Sequence, residues 1–314
     1  MKIFIAGHRG MVGSAIFRSL SKSQDHQIIT ATSTELDLRD QSAVNDFINK
    51  IKPEVIIDAA AKVGGIMANN TYPWQFLYDN VAIQTNLINA AHKNDVEKFI
   101  FLGSSCIYPK LAEQPLREDS LLTGPLEPTN EWYAIAKITG VKMCEALRKQ
   151  YGRSYTSLMP TNLYGPGDNF DLETSHVLPA MIRKFHDAMV SGHSPVTLWG
   201  SGTPKREFLH VDDVASAVLH VLNGSMDHSL YNLGTGKDLS IKELAEMVQG
   251  ITGHKGEIVW DSSKPDGTPR KLMDVSRLGN EGWTYSIELE EGISDTYDWF
   301  LENVENFKEV KITD

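Results

Sequence analysis

Two short segments hold the residue types for proton and hydride chemistry at a carbonyl: Gly103-Ser104-Ser105-Cys106 and Tyr133-Ala134-Ile135-Ala136-Lys137. Residues four apart share one face of a helix, so the Tyr133 phenol and the Lys137 ammonium project together. A free phenol, with a pKa near ~10, is a weak acid–base at neutral pH. A neighbouring ammonium favours the phenolate and is expected to lower that pKa, making Tyr133 a usable proton donor and acceptor. The Ser104 hydroxyl can hold the carbonyl or alcohol under reaction. Cys106 adds a second ionisable group, which a simple carbonyl reductase does not need.

The start of the chain supplies the context for a hydride carrier. Lys2 to Ala6 is a short apolar run of strand type, Gly7, Gly10 and Gly13 follow at once, and Ser14 to Leu20 has helical spacing. Strand, glycine-rich turn and helix are the setting of a dinucleotide fingerprint: the glycines permit a tight turn, and the helix N-terminus faces the pyrophosphate. The spacing here is G-x-x-G-x-x-G.

Strand-like and helix-like segments alternate up to about residue 165, with strand candidates at Gln27–Thr30, Pro53–Asp58, Lys98–Leu102 and Ser154–Met159. Such alternation predicts an α/β fold: a Rossmann-type, doubly wound parallel sheet with helices on both faces. Sites of these sheets lie beyond the carboxyl ends of the strands. The Gly7 loop, Ala59–Gly65, Ser104–Cys106 and Pro160–Gly165 are therefore expected at one crevice. Residues 1–165 read as the dinucleotide-binding domain. Residues 166–314 read mainly as a smaller substrate-binding lobe, with segments returning to the large domain and a frayed tail over 308–314.

The chain has 314 residues, 23% charged and 41% hydrophobic, an ordinary globular composition. The formal charge of −11 argues against nucleic acid or an anionic membrane as partner. No apolar run is long enough to span a bilayer, and the N-terminus lacks signal-peptide character. Two cysteines, Cys106 and Cys144, form no disulfide framework, and the cytoplasm is the expected compartment. Cys144 reads as a buried structural thiol. No metal is expected. Against the acidic background stand three basic pairs, Arg183-Lys184, Lys205-Arg206 and Arg270-Lys271, which suggest a pocket for an anion such as a nucleotide diphosphate.

From the first strand to about Leu301 the chain resembles the extended short-chain dehydrogenase/reductases, and within them a branch acting on GDP-4-keto-6-deoxy sugars. The resemblance rests on Phe4–Ser14, Ala59–Gly65, Leu102–Pro109, Glu127–Glu131, Met159–Gly165 and Arg206–Asp212. It implies two chemistries in one pocket. Cys106 and His176 match an acid–base pair that epimerises carbons 3 and 5 of the keto sugar. Tyr133, supported by Ser104 and Lys137, matches the group that protonates the 4-oxygen as hydride arrives from NADPH.

The same resemblance places Gly7, His8, Arg9, Gly10, Met11, Val12, Gly13, Asp37, Leu38, Ala60, Gly103, Pro160, Asn162, Leu163 and His176 at the cofactor, together with Ser104, Tyr133 and Lys137. It places Lys184, Trp199, Arg206, Asp266 and Lys271 around the GDP-sugar. Arg9 matches a phosphate-binding arginine and favours NADPH over NADH. Some relatives carry a second arginine where this chain has Ala31 to Ser33, and Thr32 and Ser33 are left to donate hydrogen bonds instead. A homodimer is expected by analogy, through helices near Trp74–His92 and Asn130–Tyr151. A 4,6-dehydratase of this scaffold would carry an Asp-Glu pair where Ser105-Cys106 stands, and a simple 4-epimerase has no use for Cys106 and His176. A non-catalytic dinucleotide sensor, which can dispense with the tyrosine or lysine, is disfavoured because Ser104, Tyr133 and Lys137 are all present.

Overall fold

The computed structural model describes residues 1–172, 174–264 and 266–304, with Ile66 and Met67 as backbone only. The tail expected over 308–314 lies outside the described residues. In the first half the strands are β1 (Lys2–Ala6), β2 (Gln27–Thr30), β3 (Val55–Asp58), β4 (Lys98–Leu102), β5 (Ser154–Pro160) and β6 (Asn162–Tyr164). Then come β7 (Val196–Trp199), β8 (Lys205–Arg206), β9 (Phe208–His210), β10 (Leu230–Leu233), β11 (Leu239–Ser240), β12 (Ile258–Asp261) and β13 (Arg270–Lys271). The helices are α1 (Met11–Leu20), α2 (Gln41–Ile51), α3 (Ile66–Thr71), α4 (Pro73–Lys93) and α5 (Glu131–Tyr151). They continue as α6 (Val177–Val190), α7 (Val211–Asn223), α8 (Ile241–Thr252), α9 (Ser276–Asn280) and α10 (Leu289–Asn303). No described helix is long and apolar enough to cross a membrane.

A parallel six-stranded sheet in the order β10-β5-β4-β3-β1-β2 forms the centre. Its inner strands are apolar almost throughout, because helices cover both faces. On one side α1 and α7 bring Ala15, Ile16, Val214 and Val218 against Ile3, Ile5, Ile57 and Ile100. On the other, α2, α4 and α5 set Val44, Ile48, Leu87 and Val141 against Phe4, Ile56, Phe99 and Phe101. β10 comes from beyond residue 165 and completes one sheet edge beside β5. A third core joins α6, α8 and α10 through Phe185, Leu244 and Phe300.

Local chemistry sets the element ends. The Asp40 carboxylate accepts from the N–H groups of Ser42 and Ala43 and starts α2. Ser240 and Glu243 form a reciprocal capping box on α8. Strand order reverses between β1 and β3, so the crevice for a ligand opens outside their carboxyl ends.

The two halves meet at Glu207, between β8 and β9 and wholly buried. Its carboxylate accepts from the N–H of Thr235 (2.6 Å), Gly236 (2.7 Å) and Met273 (2.9 Å). Its backbone oxygen accepts from the Asn162 amide at 2.7 Å. Burial raises the pKa of this acid, and the three backbone donors oppose that rise. Glu207→Ala strands three buried donors and is expected to cost about 3 kcal/mol or more. Chemical denaturation of the two proteins measures the loss.

Candidate active site

β4 ends at Leu102, and the chain passes through Gly103 and Ser104 into a single 3-10 turn, Ser105–Ile107. The Ser104 side chain caps that turn by accepting from the Cys106 N–H at 3.4 Å. α5 packs against the turn and carries Tyr133 and Lys137 to it. Lys137 is buried: its Nζ donates to the Leu102 carbonyl at 2.9 Å, lies 4.7 Å from the centre of the Phe101 ring and 5.9 Å from that of Tyr133. Ser104, Cys106, Tyr133 and Lys137 therefore converge on one strand end.

One expectation fails here. The pKa of Tyr133 is raised, not lowered, because burial disfavours the phenolate and the Cys106 sulfur adds a like charge when ionised. Lys137 is committed to the Leu102 carbonyl, and its own pKa is lowered by burial. Tyr133 is thus held as a neutral phenol, the form that donates a proton.

His176 precedes α6 and reaches this place through backbone pairing. The Gly65 N–H donates to the Thr174 carbonyl at 3.1 Å, and Asn69 ties the carbonyls of Gly64 and Gly65 at 2.7 and 3.0 Å. His176 is open to the cleft, yet enclosed enough that lost hydration lowers its pKa, with the Lys271 charge adding to the effect. Burial raises the pKa of Cys106, opposed first by Lys271, then by Ser104 and Lys137. One ammonium, that of Lys271, acts on both Cys106 and His176. The Lys271 charge thus lies within reach of both other side chains.

At the β1–α1 turn, Gly7 has φ +80°, and a Cβ on Gly13 would lie 2.1 Å from the Gly7 carbonyl oxygen. Both residues must be glycine for the helix start to close on the strand. α1 begins at Gly10 with no side-chain cap and no acid in its first turn. Its leading N–H groups and positive dipole end make a cradle that fits a dinucleotide's pyrophosphate. His8, Met11 and Val12 belong to this turn, and Ala60 is beside it, since a Cβ on Gly7 would meet Ala59 at 2.6 Å and Ala60 at 2.7 Å.

Past β2, the Thr32 N–H and hydroxyl donate to Glu35 at 2.8 and 2.7 Å. These bonds hold the Glu35 carboxyl below its usual range, with the charges of Arg9 and His8 contributing. Thr32 is therefore already engaged, whereas Ser33 is exposed. Asp37 is bonded to Arg39 at 2.9 and 3.0 Å, and Leu38 packs at the edge of the core. Pro160 ends β5, and Asn162 and Leu163 lie on β6.

The basic pairs divide. Arg183 bonds Asp187 and Arg270 bonds Asp238. Lys184, Arg206 and Lys271 form no ion pair among the described residues. The β8–β13 register sets Arg206 beside Lys271; burial lowers the pKa of both, and at Lys271 the Arg206 charge adds to that fall. Lys184 donates to the Thr197 carbonyl at 3.1 Å and lines an open cavity of about 310 Å³ with Leu172, Asp187 and Ser194. Trp199 is 60% exposed, with the Lys264 ammonium 5.5 Å over its ring. Asp266 accepts from the N–H and hydroxyl of Ser201 at 2.8 and 2.7 Å, clasping the turn after Trp199.

Residues 3–234 match the NAD dependent epimerase/dehydratase family. The GDP-L-fucose synthase of Escherichia coli (strain K12) is 55% identical over 318 residues, covering 98% of each chain. The chain belongs to this family, on its GDP-L-fucose synthase branch. GDP-L-fucose synthase 1 of Arabidopsis thaliana is also 55% identical, over 97% of this chain and 94% of that one. Among solved structures, a GDP-L-fucose synthetase from Naegleria fowleri bound to NADP superposes with a TM-score of 0.90 at 30% identity, covering 98% and 95%.

Two buried acids near these side chains escaped the sequence motifs. Asp58 is an acid closing the apolar run Val55–Asp58, a pattern that signals a strand end at a crevice. Glu207 sits between Arg206 and Phe208, and nothing local marks it as buried. The Lys271 charge also generates a testable expectation. Alkylation of Cys106 by iodoacetamide should rise only above the ordinary thiol range, and Lys271→Met should push that rise to still higher pH. Peptide mass spectrometry reads the rates, with buried Cys144, pushed up to about 12, staying unmodified in the folded protein. Superimposed profiles would break the link between Lys271 and the thiol.

Proposed function

We propose that this chain converts GDP-4-keto-6-deoxy-D-mannose to GDP-L-fucose, by 3,5-epimerisation followed by NADPH-dependent reduction of the 4-ketone. The observation that carries this reading is the meeting of two acid–base sets, Cys106 with His176 and Tyr133 with Lys137, beside the unpaired cations Arg206 and Lys271. The 4-ketone acidifies the protons on carbons 3 and 5. At each carbon one group takes a proton from one face and another returns a proton to the opposite face. Burial favours neutral thiol and neutral imidazole, so Cys106 and His176 hold between them one transferable proton.

In the reduction, Ser104 holds the 4-oxygen and the neutral Tyr133 phenol gives it a proton. The nicotinamide supplies the hydride. The Lys137 ammonium compensates the phenolate that remains. Arg206 and Lys271 receive the diphosphate, with Lys184, Trp199 and Asp266 around the rest of the nucleotide. The glycine turn, with Arg9, holds NADPH. We place these functions in a dinucleotide-binding part, 1–165, and a mainly substrate-binding part from residue 166 on. An enzyme whose acid–base group is a free thiol suits the reducing cytoplasm.

Incubation with GDP-4-keto-6-deoxymannose in deuterated water should put deuterium at carbons 3 and 5 without cofactor, and give GDP-L-fucose once NADPH is added. Cys106→Ser should slow exchange by about 100-fold or more. Tyr133→Phe should spare exchange and slow reduction by about 100- to 10,000-fold. Ketone reduction with no deuterium uptake would leave a plain reductase and remove the roles of Cys106 and His176.

A homodimer is proposed through α4 and α5, which pack side by side. They expose Trp74 (65%), Tyr78 (50%), Trp132 (43%) and Ile135 (37%), with Trp74 and Tyr78 stacked at 5.1 Å. So many large apolar side chains on one helix pair mark an association surface. Sedimentation should show a dimer for the parent and a monomer for Trp132→Glu/Ile135→Glu; an unchanged mass would exclude this face.

A further inference from the structure

Asp58, the last residue of β3, is only 1% exposed. Parallel register sets Ala6, Asp58, Phe101 and Ser157 side by side across the sheet. α5 lies close over this row: a Cβ on Gly140 would come within 2.4 Å of Phe101 Cζ, and Lys137 Nζ stands 4.7 Å from the centre of that ring. One Asp58 oxygen accepts from the Ala60 N–H at 3.1 Å, while Oδ2 is buried with no hydrogen-bond partner among the described residues. A carboxylate in such a place persists only if an opposite charge answers it.

Lys137 is that charge. Burial pushes Asp58 up to about 6, and Lys137 opposes the rise. Burial pushes Lys137 down, and Asp58 opposes the fall ahead of Cys106. The other titratable groups nearby are Tyr133 and Cys144 on α5 and Cys106 in the 3-10 turn. On α4, Asp79 is already bound to Lys62 at 3.2 Å and Arg39 at 3.5 Å.

We propose that Asp58 is a positioning residue of the reduction site, its buried carboxylate holding the Lys137 side chain as an ammonium beneath Tyr133. The pair acts as a unit: removing the acid lets the lysine give up its proton at lower pH. The role rests on the reading that Tyr133 and Lys137 serve ketone reduction.

Asp58→Asn keeps the side-chain volume and removes the charge. In this variant the alkaline limb of kcat for reduction should move to lower pH by about one unit, with KM for the GDP-sugar little changed. In a Lys137→Met background the same substitution should add no further loss. As a readout without turnover, carbon-13 NMR should show the Asp58 carboxyl titrating at higher pH in Lys137→Met than in the parent. An unmoved alkaline limb in folded Asp58→Asn overturns the proposal, as does an Asp58 carboxyl indifferent to Lys137. If Asp58→Asn fails to fold, the carbon-13 titration decides alone. Absence of ketone reduction in the parent would instead defeat the functional reading and leave the titration standing.

Discussion

Glu207 gathers backbone N–H groups from Thr235, Gly236 and Met273 onto one buried carboxylate, and its own carbonyl receives Asn162. Much of the cleft depends on this junction. Arg206 precedes it on β8, and Met273 follows β13, which the same bonds hold in register against β8. Arg206 and Lys271 are thereby fixed side by side, with the Lys271 charge within reach of Cys106 and His176. The acid meets three backbone donors instead of a basic side chain, and Arg206 and Lys271 form no ion pair among the described residues. Hydrogen bonds to the charged form oppose the desolvation that raises the pKa of this acid.

The groups proposed for the chemistry, and Asp58 behind them, share a second constraint, which is burial. Cys106, Tyr133, Lys137 and Asp58 each lose hydration, and each is driven toward its neutral form. Opposite charges then decide which groups resist. Asp58 supports Lys137, and Lys271 supports the Cys106 thiolate, while Tyr133 remains a phenol. A ligand that excludes water from the cleft strengthens all of these couplings, since each acts across a lower dielectric.

Much of the fold was legible locally. Apolar runs ending at Ala6, Asp58 and Leu102, each followed by glycine or small residues, mark strands that meet a crevice, and their parallel pairing follows from the alternation with helices. The four-residue spacing of Tyr133 and Lys137 placed both on one face of α5. The fate of Tyr133 was not legible, because its pKa depends on burial and on a Cys106 charge from the turn after β4. Nor was the division within two of the three basic pairs: Arg183 and Arg270 find carboxylates, whereas among the described residues their neighbours Lys184 and Lys271 do not.

By itself the sequence determined the order of strands and helices, the glycine turn, and the residue types available for acid–base work. These depend on side-chain periodicity and backbone freedom, which are properties of neighbours in the chain. Only the tertiary structure decided in which direction each pKa moves, which cations meet a carboxylate, and that the Lys137 charge reaches Asp58. Those outcomes follow from desolvation and from Coulomb interactions between distant segments, which exist only once the strands are side by side.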